Sequence, residues 1–307
     1  MTPASGEIAT RPLGGTGVDV TILGLGGYHL GLVDSRREAV RIVQEAVAGG
    51  ITFMDNAWEY HDGASEEIMG RALAGGRRDK VFLMTKVCSH GRGKAVALRQ
   101  LHQSLRRLKT DHLDLWQIHE VVYANDPDLH FAKGGAAEAL DEARRQGKVR
   151  FVGFTGHKDP EIHLKMLSHR FPFDACQLPL NCFDARFRSF EERVLPELLR
   201  QGIAPLGMKP LGGEGAAVRK KVVSAEEALR YAMSLPVATT ITGVDSMRVL
   251  RQDLEIARAF EPMTAEEMDT LHRRCEDTAA DGRFELYKTT AQFEGPEGRR
   301  QHGFPPP

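Results

Sequence analysis

The chain lacks an excess of either charge: 41 Lys and Arg stand against 42 Asp and Glu, a formal net charge of −1. A nucleic-acid surface needs a basic stripe or surplus, so a nucleic-acid partner is not expected. No apolar run approaches the roughly 20 residues of a membrane-spanning helix. The amino-terminal stretch MTPASGEIATRPLGG carries no apolar core of the kind that directs secretion. Cysteine is scarce as well. Four residues (Cys88, Cys176, Cys182, Cys275) are scattered without Cys-x-x-Cys spacing, which predicts reduced thiols in a cytoplasmic protein. Two nucleotide-binding signatures are also missing. Gly24-Leu-Gly-Gly-Tyr-His does not fit Gly-x-Gly-x-x-Gly, and no Gly-Lys-Ser/Thr loop occurs.

What is present is alternation. Short apolar runs recur near Ile22, Ile51, Val81, Leu113, Val149, Ala175, Ile203 and Thr239, with helical stretches between most of them. Ala39, Ile42, Val43 and Ala46 form one helical stripe, closed by Gly49-Gly50. Leu98, Leu101, Leu105 and Leu108 form another. Ser224 with Glu227, and Thr264 with Glu267, read as capping boxes opening two further helices. The VFLM, LDLW and VRFVGF runs are too apolar for a half-solvated sheet and suit strands covered by helices. Eight such runs predict an α/β fold, a (β/α)8 TIM barrel within a single domain spanning 1–307. Residues 11–21 read as a glycine-turned hairpin that plugs the floor, residues 22–259 as the barrel, and residues 264–307 as a helix and tail. The tail leaves two readings open: a disordered end, or a flap carrying aromatics over the barrel mouth.

In such barrels chemistry collects at the carboxyl ends of the strands. The polar residues immediately after the second, third and fourth runs are Asp55, Lys86 and His119, the last followed by Glu120, and Tyr60 lies five positions past Asp55. Singly, each has a plain structural explanation: a turn-capping Asp, a solvated Lys, a hydrogen-bonded His, a packing Tyr. Together they fit proton supply to a carbonyl oxygen. A tyrosine hydroxyl is a poor acid near neutrality, a buried lysine beside it favours the phenolate, and a paired carboxylate keeps that lysine charged. A histidine can orient the same oxygen. The hydride must come from a cofactor, because no side chain supplies one.

These same residues carry a resemblance. FMDNAWEYHDGASEEIMGRAL, LMTKV and SLRRLKTDHLDLWQIH are similar to the signature segments of the aldo-keto reductase superfamily, and GKVRFVGFTGH and QLPLN resemble its fifth and sixth strands. The likeness runs from about Arg11 to Ala259, in order. GIAPLGMKPLGGEG resembles a mainly bacterial Met-Lys-Pro-Leu-Gly-Gly branch. The resemblance implies reduction of small-molecule aldehydes or ketones by Asp55, Tyr60, Lys86 and His119, with NADPH as cofactor and NADH as the alternative. It places Gly26, Gly27, Tyr28, Asp55, Thr155, Gly156 and Gln177 at the nicotinamide half. Met208, Lys209, Pro210 and Leu211 would lead toward the pyrophosphate, and Gly243, Asp245, Gln252 and Asp253 would hold the adenosine end.

The sequence departs from the common pattern in places. Thr155-Gly156 stands where Ser-Asn is frequent, Met208 where a Tyr often stacks, and Gly243 and Val249 where the 2′-phosphate usually meets basic residues. Arg248 and Arg251 lie close enough in sequence to compensate. Tyr28, Trp58, His119 and Tyr123 are the expected substrate contacts, and with Phe284 and Tyr287 they suggest an apolar or aromatic pocket. The segment from Val121 to Lys133 is expected to be a long entrance loop. Two other functions fit the same barrel. One is a cofactor-sensing regulatory subunit. The other is a metal-dependent hydrolase drawing on Asp55, His61, His90 and His119, disfavoured by the absent His-x-His pair and by a lysine on the rim; no metal is expected.

Overall fold

The computed structural model describes residues 6–88 and 93–305; His90 therefore lies outside the described residues. Ten strands occur in these segments. β1 (Thr10–Pro12) and β2 (Asp19–Thr21) pair antiparallel as a separate two-stranded sheet. β3 (Leu23–Gly26), β4 (Phe53–Asp55), β5 (Phe82–Cys88), β6 (Leu113–Val121), β7 (Val149–Gly156), β8 (Ala175–Pro179), β9 (Ala204–Met208) and β10 (Thr239–Gly243) follow, each parallel to the next. β10 pairs back onto β3 and closes the barrel, so every apolar run named above becomes one stave.

Helices α1 (Arg36–Ala48), α2 (Ala64–Ala72), α3 (Lys94–Leu108), α4 (Asp126–Phe131), α5 (Ala136–Arg145), α6 (Pro160–Ser168), α7 (Phe190–Arg193) and α8 (Leu195–Gln201) alternate with the strands. They are followed by α9 (Ala216–Arg219), α10 (Ala225–Ser234), α11 (Met247–Arg258), α12 (Ala265–Ala279), α13 (Leu286–Thr289) and α14 (Pro296–Gln301). The local signals behave as their chemistry predicts. The α1 stripe Ala39, Ile42, Val43 and Ala46 is buried against the barrel, and Gly50, at φ 101°, turns the chain where a side chain would be strained. Both capping boxes form, at the starts of α10 and α12.

Two apolar clusters result. The larger lies between staves and helices. The smaller fills the barrel with Phe53, Phe82, Met84, Leu115, Leu206 and Ile241, and includes Leu13 and Val20 from the hairpin. Leu13 and Val20 are fully buried there, so the β1–β2 hairpin does plug the floor. Arg11 fastens it by donating to the carbonyls of Met233, Leu235 and Val237. The floor is thus closed by apolar packing, and the opposite rim is left for chemistry.

Two expectations change. The entrance segment is not a loop throughout, because β6 continues to Val121 and α4 occupies Asp126–Phe131. Asp126, the first residue of that helix, ties down the turn before it: its carboxylate accepts from the backbone N–H groups of Val122 and Tyr123. The tail, for which composition left two readings, is docked. Lys288 is buried between Asp184 and Glu285, and Tyr287 is buried with its hydroxyl donated to Glu285.

Candidate active site

β4, β5 and β6 are neighbouring staves, so the residues ending them must share one rim. Lys86 and Asp55 form a buried ion pair there. The Lys86 ammonium also donates to the Asn56 carbonyl at 2.7 Å and to the Tyr60 hydroxyl at 3.4 Å. Its three protons therefore have three acceptors, which offsets the cost of burying the charge. Burial lowers the lysine's pKa and Asp55 opposes that shift. Tyr60 packs edge-on against Tyr28 (5.3 Å between ring centres) and against His119 (5.7 Å). The four candidate catalytic side chains thus meet at one point.

The electrostatics of Tyr60 differ from the expectation. Its hydroxyl is held well above the ordinary tyrosine range, first by burial and then by Asp55, Glu59 and Glu120. The lysine is present, but burial of the phenol is the larger influence and acts the other way. Tyr60 is therefore a protonated donor at neutral pH. His119 titrates below the usual histidine range, again chiefly through burial, with Glu59 opposing.

A family model described as the Aldo/keto reductase family matches residues 22–227, well over half of the chain. This chain belongs to the aldo/keto reductase family. An uncharacterized oxidoreductase of Bacillus subtilis, YqkF, is 26% identical across 85% of this chain and 94% of its own length. The 6-dehydroglucose reductase of Novosphingobium aromaticivorans is 29% identical over 67% of this chain and 69% of its own. Among solved structures, the holo form of aldo-keto reductase AKR11C1 from Bacillus halodurans superposes with a TM-score of 0.72 at 25% identity, covering 87% of this chain and 96% of that one.

The other expected site residues of this aldo/keto reductase are spread over several elements. Thr155 and Gln177 are register partners on β7 and β8 at the barrel top, and the Gln177 side-chain oxygen is buried without a partner among the described residues. Met208 ends β9, and Lys209, at φ 56°, places its ammonium over the rings of Tyr287 and Phe293 (5.3 and 5.1 Å). Pro210 is buried and Leu211 packs at the edge of the core.

The glycines serve close packing. A Cβ on Gly26 would meet the Thr242 carbonyl at 2.9 Å, on Gly27 the Asp55 carbonyl at 2.6 Å, and on Gly156 the Val121 carbonyl at 2.5 Å. Of the residues expected at the adenosine end, Gly243 lies beneath the His29 ring, Asp245 is exposed and Gln252 is half-buried. Asp253 is buried and accepts from the Thr242 hydroxyl at 3.1 Å, and burial pushes its carboxyl up to about 7.

Two expected substrate contacts are turned elsewhere. The Trp58 indole N–H donates to Gln103 on α3 at 2.7 Å, and Arg107 covers its ring. Tyr123 gives its hydroxyl to Glu294 at 2.6 Å and packs on His302 and Phe304, beneath the tail. Phe284 packs on Phe183. What surrounds the meeting point of the four candidate side chains is ionisable: Glu59, Glu120, His157 and Lys209. His119 Nδ1 lies 2.6 Å from Glu59, and His157 Nδ1 lies 3.0 Å from Glu120. Glu120 also accepts from the Gly295 N–H at 3.2 Å, which brings the tail to the site. His157 directly follows β7, so the strand-end rule that finds Lys86 also finds it; Glu59 has no such positional signal.

The Glu120 carboxyl is pushed up to about 8, first by burial and then by the Glu59 charge. A raised carboxyl pKa means the fold holds a proton that the unfolded chain releases near pH 4.3. Its contribution to stability is full below that pH and is lost as pH rises through about 8. Glu120→Gln is therefore expected to flatten the fall in Tm between about pH 5 and 8. A slope identical to that of the wild type in thermal scans would contradict this.

Proposed function

We propose that this aldo/keto reductase reduces aldehyde or ketone carbonyls to alcohols with a nicotinamide cofactor, NADPH in preference to NADH. The observation that carries the reading is the convergence of Asp55, Tyr60, Lys86 and His119 on one point of the rim. The cofactor supplies the hydride when bound. Tyr60 supplies the proton to the carbonyl oxygen, Lys86 stabilises the phenolate left behind, and Asp55 keeps Lys86 charged and aimed. His119 orients that oxygen.

The residues present suit such a cofactor. The unpartnered Gln177 oxygen can accept from a carboxamide, and a buried acceptor without a donor is costly until one arrives. In this reading Tyr28, Thr155 and Gly156 flank the same half, Met208 to Leu211 lead to the pyrophosphate, and Gly243, Asp245, Gln252 and Asp253 hold the adenosine. Arg248 and Arg251 are both exposed on α11 and are the cations offered to a 2′-phosphate. Arg251→Ala with Arg248→Ala is expected to raise the Kd for NADPH at least tenfold, about 1.4 kcal/mol, and to leave that for NADH unchanged. Equal effects on both would remove these arginines from phosphate recognition.

The ionisable surroundings favour small polar carbonyl compounds over aromatic ones. Relatives named 6-dehydroglucose reductase and methylglyoxal reductase point the same way. We read the hairpin, the barrel at 22–259 and the tail at 264–307 as one catalytic domain. The four cysteines are free thiols, all buried, as suits the cytoplasm. The test is multiple-turnover loss of reduced-nicotinamide absorbance against sugar-derived, dicarbonyl and aryl aldehydes. Cofactor binding without turnover on any of them would overturn the reading.

A further inference from the structure

The proposed donation from His119 to a substrate oxygen requires a proton on the ring nitrogen that faces the substrate. A neutral imidazole carries only one N–H, and its neighbours decide which nitrogen has it. Here Nδ1 lies 2.6 Å from Oε1 of Glu59. Nδ1 makes no aligned hydrogen bond there, so the contact is an electrostatic one. A carboxylate oxygen that close repels a bare ring lone pair and attracts an N–H, so it draws the neutral ring's single proton onto Nδ1. It leaves Nε2 bare in the neutral ring. A bare Nε2 accepts hydrogen bonds and cannot donate one.

We propose that Glu59 is a positioning residue that holds His119 in its Nδ1–H tautomer, so that His119 donates to the substrate oxygen only as the imidazolium. This deepens the reading above and rests on it. When the ring is protonated, Nδ1–H stays with Glu59 and the new Nε2–H points to the reacting oxygen. The Glu59 carboxylate compensates the added charge, as a carboxylate does behind an imidazole that receives a proton.

Among the described residues, the groups that face this pair are Lys86 and Cys88 from β5, Asp55 from β4, Tyr60 beside Glu59, Glu120 from β6, His157 after β7 and Glu297 from α14 of the tail. Lys86 opposes the imidazolium and Asp55 supports it. The Tyr60 hydroxyl titrates well above neutrality and does not enter the same pH range. Glu120, at about 8, does approach it, so the test includes a direct view of the ring.

The experiment uses full-length protein with ¹⁵N-labelled histidine, and His119 is assigned by difference from His119→Gln. Long-range nitrogen–proton correlation at high pH is expected to show the Nδ1–H tautomer in the wild type. In Glu59→Gln the carboxamide can donate to Nδ1, and the signal is expected to move to Nε2–H. In kinetics, wild-type kcat/KM for reduction falls about tenfold per pH unit above the His119 pKa. Glu59→Gln loses that slope while KM for cofactor is unchanged, and Glu59→Asp restores it. An Nε2–H tautomer in the wild type would overturn the proposal, as would a Glu59→Gln protein with unaltered tautomer and slope. Absence of any turnover in the wild type would instead sink the functional reading and leave the tautomer result standing. If Glu59→Gln fails to fold, the wild-type tautomer alone decides.

Discussion

Tyr60→Phe is expected to lower kcat for carbonyl reduction by about 10²–10⁴, the range that a positioned general acid contributes. The substitution removes one oxygen and leaves the ring edge-on to Tyr28 and His119. The Lys86 ammonium loses its weakest acceptor, at 3.4 Å, and keeps the Asp55 carboxylate and the Asn56 carbonyl. Stability and cofactor affinity should therefore change little while the chemical step slows. Steady-state kinetics with parallel Tm and cofactor titration separate these quantities. A variant that binds cofactor normally and retains wild-type kcat would show that the proton comes from another group.

Lys288→Met is expected to destabilise the protein by about 3–5 kcal/mol, the cost of breaking a buried ion pair by removing one partner. The Lys288 ammonium is fully buried and donates to Asp184 at 2.6 Å, Glu285 at 2.9 Å and the Phe187 carbonyl at 2.7 Å. Methionine fills the space but leaves two carboxylates in a site without a cation. They regain neutrality only by taking up protons, so the loss should shrink as pH falls. Because Glu285 also receives the Tyr287 hydroxyl, the segment that carries Gly295 to Glu120 should loosen first. Limited proteolysis after residue 280, together with thermal scans at two pH values, reads both effects. An unchanged Tm would mean that Asp184 and Glu285 are satisfied without Lys288.

Much of the site was legible before any coordinates. Asp55, Lys86 and His119 each follow an apolar run, and because consecutive parallel staves end at one rim, strand order alone brings them together. Tyr60 required a further step, the chemical need for an acid beside a buried lysine. The surroundings of the expected substrate contacts were less legible, for a physical reason. Trp58 and Tyr123 look like pocket aromatics from their positions, but each has a polar end that found a partner elsewhere: Gln103 on α3 for one, Glu294 of the tail for the other. Long-range pairings of that kind leave no periodic trace in a sequence.

The sequence alone was sufficient for the barrel, its plugged floor and the strand ends that carry Asp55, Lys86 and His119. These follow from local periodicity, glycine turns and the parity of strand ends, which neighbouring residues encode. Tertiary structure decided the rest. It set Glu59 against His119 and Glu120 against His157, and burial, then Asp55 and these two carboxylates, raised the Tyr60 pKa that Lys86 was expected to lower. It also brought a tail of ambiguous composition down onto the rim through a buried lysine. The ionisation of a group depends on every charge within reach and on the water excluded around it, and both are properties of the folded chain.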